Sequence, residues 1–224
     1  ASRGLGDVYK RQKLVSLSSN YSGSDVGNYN ITSQPSATAS ITPRSLAVSA
    51  SVNNKIYDGT RSASFSLSSD NIAGDSLTLS ADSALFSDKN AGTGKAVTVG
   101  GITLGGVDAS NYNLQNASTV ARADIRPKPI TATGFTASNK VYDATDVATL
   151  NVSAAKLTVG AVSDFDNKLY AGDNVQLNTA TAAGSFVAGK NVGLAKQVVA
   201  NGLALTGSDA LNYTCLLYTS DAAD

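Results

Sequence analysis

The chain has 224 residues, with seventeen basic and seventeen acidic side chains, and charged residues make up only 15% of it. So sparse and balanced a charge excludes the basic footprint of a nucleic-acid or anionic-membrane binder and leaves neutral partners. His, Met and Trp are absent and every acidic residue is Asp, which excludes Ser-His nucleophilic catalysis and His-ligated zinc.

Glu, a good helix former, is missing, while Ser, Thr, Asn and Gly abound; strands and turns are therefore expected and helices should be few. No run of about 18 or more apolar residues occurs, so no helix-type bilayer span is expected. At roughly 100 to 150 residues per domain, the length allows one to two domains.

The first segment, "ASRGLGDVYKRQ" at residues 1–12, differs in texture from the interior, as does "CLLYTSDAAD" at residues 215–224. Both resemble translated sequencing-adapter DNA and are set aside from the fold. They carry three charges of each sign and the single cysteine, Cys215. The interior is thus neutral and cannot form a disulfide.

Residues 13–41 carry "GSDVGNYNI" and the alternating Ala37, Ala39 and Ile41. They read as the last strands of a truncated repeat. Residues 42–126 form the first full repeat. It opens at Pro43, and Leu46, Val48, Ala50 and Val52 alternate with small or polar residues. "NKIYDGT" follows at 54–60, with Tyr57, Asp58 and Gly59, then alternating Ala63, Phe65 and Leu67, and Leu77 and Leu79. "KNAGTGKAV" begins at Lys89, a break falls at Gly100-Gly101, and "GVDASNYNL" closes with Asp108, Asn111 and Tyr112.

The order returns in residues 127–214. There "NKVYDAT" holds Tyr142 and Asp143, "KNVGLAKQV" begins at Lys190, a break falls at Asn201-Gly202, and "GSDALNYT" holds Asp209, Asn212 and Tyr213. An insertion near 156–170 lengthens this second repeat, which should lack its last strand.

Period-two alternation in short segments parted by turn residues predicts small all-β modules in tandem. The expected fold is an antiparallel, Ig-like β-sandwich in an elongated array, with a β-grasp-like arrangement as the alternative. Pro127 and Pro129, in "IRPKPI", suit an extended connector better than a central strand. The Gly100-Gly101 and Asn201-Gly202 breaks predict a bulge or tight hairpin.

Asp-Gly forms turns because Gly accepts positive φ while Asp caps nearby amides. Ala144 in place of Gly59 implies that positive φ is dispensable there. The Asp-x-x-Asn-Tyr element resembles a tyrosine corner, in which short polar side chains satisfy backbone groups leaving a sheet. Recurrence with changing neighbours marks scaffold positions, so Tyr57, Asp58, Gly59, Tyr142, Asp143, Asp108, Asn111, Tyr112, Asp209, Asn212 and Tyr213 are read as a structural signature.

Candidate ligand contacts are Asp164, Phe165, Asp166 and Tyr170, clustered in the insertion. "DFDN" at 164–167 lacks the spacing and closing Glu of an EF-hand, and "GTGKAV" lacks the pattern of a phosphate loop. No cofactor, metal site or catalytic residue is assigned. An isopeptide bond from Lys55 or Lys140 would need a buried Asp to move protons.

The Asn-Lys-x-Tyr-Asp-x-Thr heptad, the Lys-Asn-x-Gly middle and the Gly-x-Asp-x-x-Asn-Tyr ending, in fixed order between Pro-containing joints, resemble the YDG domains repeated in filamentous-haemagglutinin-like adhesins of Gram-negative bacteria. That resemblance spans nearly all of residues 13–214. It implies export to the cell surface by two-partner secretion and a non-enzymatic stalk or spacer role in cell adhesion. The expected partners are neighbouring repeats of the same chain, with a host surface glycan or protein at the 156–170 insertion as the alternative reading, and neither nucleic acid nor membrane insertion.

Overall fold

The computed structural model describes residues 12–15, 20–30, 37–216 and 218–221. The chain is nearly all β, and the only helices among the described residues are three single 3-10 turns, Val26–Asn28, Ala109–Asn111 and Ala210–Asn212. The absence of Glu and the wealth of β-branched and short polar residues favour this outcome. Each 3-10 turn lies within an Asp-x-x-Asn-Tyr element of the sequence.

Two compact units form, one from residues 1–48, 69–79 and 104–115, the other from residues 49–68, 80–103 and 116–224. In the first unit Arg44–Leu46 runs parallel to Tyr112–Leu114, Tyr112 facing Arg44 and Leu114 facing Leu46. Leu46 is fully buried there and Tyr112 is buried. Asp70 accepts the Ala47 amide at 2.9 Å. Gln12–Val15 pairs antiparallel with Ala37–Ser40.

The second unit holds a four-stranded sheet in the order Lys55–Ile56, Ser118–Arg126, Gly92–Gly100, Ser83–Phe86. A three-stranded sheet orders Lys156–Leu157, Lys128–Thr133 and Tyr213–Leu216, and a further four-stranded sheet orders Val147–Ala148, Ala183–Phe186, Gln197–Asn201 and Tyr218–Asp221. Apolar alternation becomes burial alternation: Val97 and Val99 are fully buried, as is Phe86 one strand over, and Ala84 beside it is buried. One core runs through residues of both repeats, joining Tyr57, Phe86, Val97 and Ile125 to Ile130, Leu169 and Tyr213. A smaller core gathers Ala137, Ala148, Phe186 and Val198.

Several expectations are corrected here. Pairing is not purely antiparallel, for among the described strands Arg44–Leu46 runs parallel to Tyr112–Leu114, Lys55–Ile56 to Ser118–Arg126, and Lys128–Thr133 to Tyr213–Leu216. Period-two alternation reports which face is buried and is blind to strand direction.

Pro129 lies inside a strand, not in a connector. It sits opposite Thr214, while the neighbour on the other edge, Lys156–Leu157, pairs only from Ala132 onward. A proline's missing amide is tolerated where one edge is unpaired. The insertion is therefore partly a strand added to the sheet. Residues 215–224, set aside from the fold, contribute Cys215 and Leu216 to one strand and Tyr218–Asp221 to another, the latter paired antiparallel with Gln197–Asn201. That strand stands where Ser118–Arg126 stands in the first repeat. The adapter-like residues 1–11, 217 and 222–224 lie outside the described residues.

Candidate functional site

The heptad is a turn tied by its own lysine. Lys55 Nζ donates to Asp58 Oδ1 at 2.8 Å and to the carbonyls of Thr60 and Ser62 at 2.9 Å each, while Asp58 Oδ1 accepts the Thr60 amide at 2.8 Å and its hydroxyl at 2.9 Å. The second copy repeats this: Lys140 Nζ donates to Asp143 Oδ1 at 2.7 Å and to the Thr145 carbonyl at 2.9 Å, and Asp143 Oδ1 accepts the Thr145 amide and hydroxyl, each at 2.9 Å. An Asp whose side chain accepts the amide two residues on fixes a turn without help from the sheet.

Both ammonium groups also lie over a phenylalanine ring, Lys55 over Phe86 at 5.4 Å and Lys140 over Phe186 at 5.7 Å. Asp143 is held down at about 2 by the hydrogen bonds from Lys140 and from Thr145. Asp58 is raised by burial, but the bonds from Lys55 and Thr60 outweigh this and leave it below the ordinary aspartate value.

The turn carries a residue at positive φ in both copies, Gly59 at 77° and Ala144 at 64°. The expectation that Ala144 frees this position from positive φ is overturned. The Lys-Asp-Thr bonds hold the backbone there, and the alanine accommodates to it at a cost of about 1–2 kcal/mol.

The second signature closes a tyrosine–aspartate corner. In the first repeat Tyr112 Oη donates to Asp75 and accepts the Ile72 amide at 2.9 Å, while Asp108 Oδ2 accepts the Ser76 amide at 2.8 Å. In the second repeat Tyr213 Oη donates to Asp173 Oδ2 at 2.6 Å and accepts the Tyr170 amide at 3.2 Å, while Asp209 Oδ2 accepts the Asn174 amide at 2.9 Å. Gly106 and Gly207 precede the corners at φ of 107° and 114°, and a Cβ would stand 2.4 Å from the Ser76 carbonyl oxygen in one and 2.2 Å from that of Asn174 in the other. Only glycine fits there, for want of both conformation and space.

At the second corner the two signatures meet. Tyr57, from the heptad of the first repeat, is fully buried and donates its hydroxyl to Asp173 Oδ2 at 2.9 Å. Its ring meets Tyr213 edge-on at 5.4 Å and Tyr170 at 6.1 Å. Lys89, from the Lys-Asn-x-Gly motif, adds an ion pair to Asp173 Oδ1 at 3.2 Å and lies over the Tyr57 ring at 5.8 Å. Asn212 is buried; its Oδ1 accepts the Ala91 amide at 2.8 Å and its Nδ2 donates to Asn90 Oδ1 at 3.2 Å.

Electrostatics follow from this packing. Burial pushes Asp173 up, yet the hydrogen bonds from Tyr213, Tyr57 and Lys89 outweigh it and hold the carboxyl below its usual value. Burial, then the hydrogen bond to Asp173, pushes the Tyr213 phenol well above the ordinary range. Tyr57 is raised too, by burial first. Neutral phenols around one carboxylate form a donor–acceptor knot with no proton left to move near neutrality.

The remaining signature residues divide by surroundings. Tyr142 is 55% exposed although its turn matches that of Tyr57, and Asn111 is exposed where Asn212 is buried. In the insertion, Tyr170 Oη donates to Asp164 Oδ1 at 3.0 Å, and Asp166 accepts the Val162 and Lys168 amides and the Lys128 ammonium. Backbone hydrogen bonds, that of Val162 foremost, hold Asp166 far below the carboxylate range. Asp164 and Tyr170 thus come together, whereas Phe165 points to solvent at 76% exposure.

Sequence reasoning missed Asp173, Lys89 as a junction residue, and Lys128, which is fully buried and paired to Asp166 at 2.9 Å. For Asp173 the signal was present. "AGD" at 73–75 recurs at 171–173, placing Asp75 and Asp173 alike before their tyrosines.

The YDG domain model matches residues 42–120 and 126–222. No curated protein and no solved structure gives a significant match.

Proposed function

The chain belongs to the YDG domain family, and from that premise we propose that it is a non-enzymatic stalk or spacer segment of a secreted bacterial surface adhesin. In this reading it is exported to the surface of a Gram-negative cell by two-partner secretion and holds a distal binding region away from the cell. The observation that carries the reading is the burial of Tyr57 from one repeat against Asp173, Tyr170 and Tyr213 of the next. A residue that names the motif is spent on joining repeats, which is what a spacer that must keep its length requires.

The test is transplantation. The purified chain should bind neither host cells nor a glycan array, and replacing it in its parent adhesin by an unrelated rigid β array of equal length should leave adhesion intact. Direct, saturable binding by the purified chain would overturn the stalk reading.

A second reading, a glycan- or host-protein-binding module, draws on the insertion, where Phe165 is 76%, Val162 88% and Val159 57% exposed. Loops on a rigid scaffold are where binding residues concentrate. Phe165→Ala separates the two, because a spacer is indifferent to it.

A further inference from the structure

We infer that the Tyr142 face of the second repeat is a docking surface for the tyrosine–aspartate corner of a further YDG repeat. The inference rests on the stacking role proposed above and deepens it by naming the surface and its partner.

Each first-repeat residue named at the occupied corner has its counterpart here. Tyr57, Lys89, Asn90 and Ala91 contact the corner of the next repeat. The Lys-x-Tyr-Asp and Lys-Asn-x-Gly motifs put Tyr142, Lys190, Asn191 and Val192 in their places. Val192 for Ala91 removes nothing, since Ala91 bonds through its backbone amide. These four residues, with Asn139 and Lys140, line an open groove of about 490 Å³. Tyr142 and Val192 are 55% and 89% exposed, and Lys190 has no ion pair among the described residues.

The charge fits as well. The groove offers the Lys190 cation and a phenol, and the corner presents a carboxylate already set for both, as Asp173 shows with Lys89 and Tyr57. Both corners of this chain share the Ala-Gly-Asp and Asp-x-x-Asn-Tyr frame, so any repeat built on it offers the same acceptor.

Strand register shows how to build the test. Gln197 faces Asp221 as Ala96 faces Arg122, so the position after Asp221 corresponds to Ala123. The chain is therefore extended after Asp221 by a second copy of residues 123–222 that carries Tyr142→Phe, so that the mapped Tyr142 peptide comes only from the original repeat, and each tyrosine is followed by tetranitromethane nitration and peptide mass mapping. Tyr142 should be nitrated at least about tenfold more slowly than in the unextended chain, the ratio expected where the docked state dominates by that factor. Exchanging Asp for Asn at the Asp173 position of the appended copy should restore reactivity.

Tyr142 reacting at its unextended rate, while the appended copy's own corner tyrosine is protected, overturns the inference. Should the appended copy not fold, the unextended chain is compared at micromolar and about millimolar concentration, where the Tyr112–Asp75 corner of a second molecule is the partner. Nitration of Tyr142 independent of concentration then overturns it. Tyr57 in the same samples separates the two readings: if it is as reactive as Tyr142, the stacking role itself fails, and if it stays protected only the docking inference does.

Discussion

Asp173→Ala is the most informative single change. The carboxylate, 9% exposed, accepts the hydroxyls of Tyr57 at 2.9 Å and Tyr213 at 2.6 Å and the Lys89 ammonium at 3.2 Å. Hydrogen bonds to a charged group contribute about 1.5–3 kcal/mol each. Lys89 is 40% exposed and regains water, so its share is small. Tyr213 still accepts the Tyr170 amide, which leaves two buried hydroxyl donors short of an acceptor and a loss of about 3–5 kcal/mol. Urea denaturation followed by tyrosine fluorescence measures it, and a double-mutant cycle with Tyr57→Phe should show a coupling of about 1 kcal/mol or more. Asp75→Ala is the control, because that corner loses one tyrosine donor and no junction. A zero coupling, or a loss at Asp173 no greater than at Asp75, would refute the assignment of Asp173 to the junction.

Ala144→Gly should raise stability by about 0.5–1 kcal/mol, since relief of a left-handed alanine exceeds the added freedom of the unfolded glycine; Gly59→Ala should lower it by a similar amount, both read from denaturation midpoints. Stability should be flat between about pH 5 and 9 and fall on either side. Asp58, Asp143 and Asp173 are depressed in the folded chain, so their contribution is complete above about pH 4 and lost as pH falls through the folded values. Tyr57, Tyr170 and Tyr213 are raised, so theirs is complete below about pH 10 and lost above it; a midpoint still rising below pH 4 contradicts this. Asp166→Ala should destabilise more than Lys128→Met, because the first leaves a fully buried ammonium with the Ser163 carbonyl but no counter-charge, while the second keeps the packed stem without the charge.

The all-β class was legible because apolar alternation maps directly onto burial, as at Val97, Val99, Ala84 and Phe86. The turn chemistry of Asp58 and Asp143 was legible for the same reason: an Asx turn is closed within two residues. What could not be read depends on residues far apart in the chain. Lys128 stands between two prolines with no local partner in the sequence, and only the return of Asp166, thirty-eight residues on, makes it a buried ion pair. Tyr57 and Asp173, 116 residues apart, share no local pattern. Ala144 misled because one substitution was taken to report the backbone, whereas the lysine and threonine bonds around Asp143 hold the turn whatever sits at that position.

The contrast between Tyr57 and Tyr142 explains why the heptad has the composition it has. Both turns are closed by the same Lys, Asp and Thr atoms at nearly the same distances, yet one tyrosine is fully buried and the other is 55% exposed. The turn is thus self-sufficient, and its tyrosine is not what closes it. Lys55–Ile56 is paired with Ile125–Arg126, and the Tyr57 amide bonds the Arg126 carbonyl at 2.8 Å, so the final strand of the repeat sets where the ring emerges. Lysine, aspartate and threonine hold the turn, the last strand aims it, and the tyrosine is left free to be buried by whatever carries the matching carboxylate. A motif whose polar members satisfy one another locally can recur through a long array without depending on its neighbours to fold, while its single aromatic member depends on them to be covered.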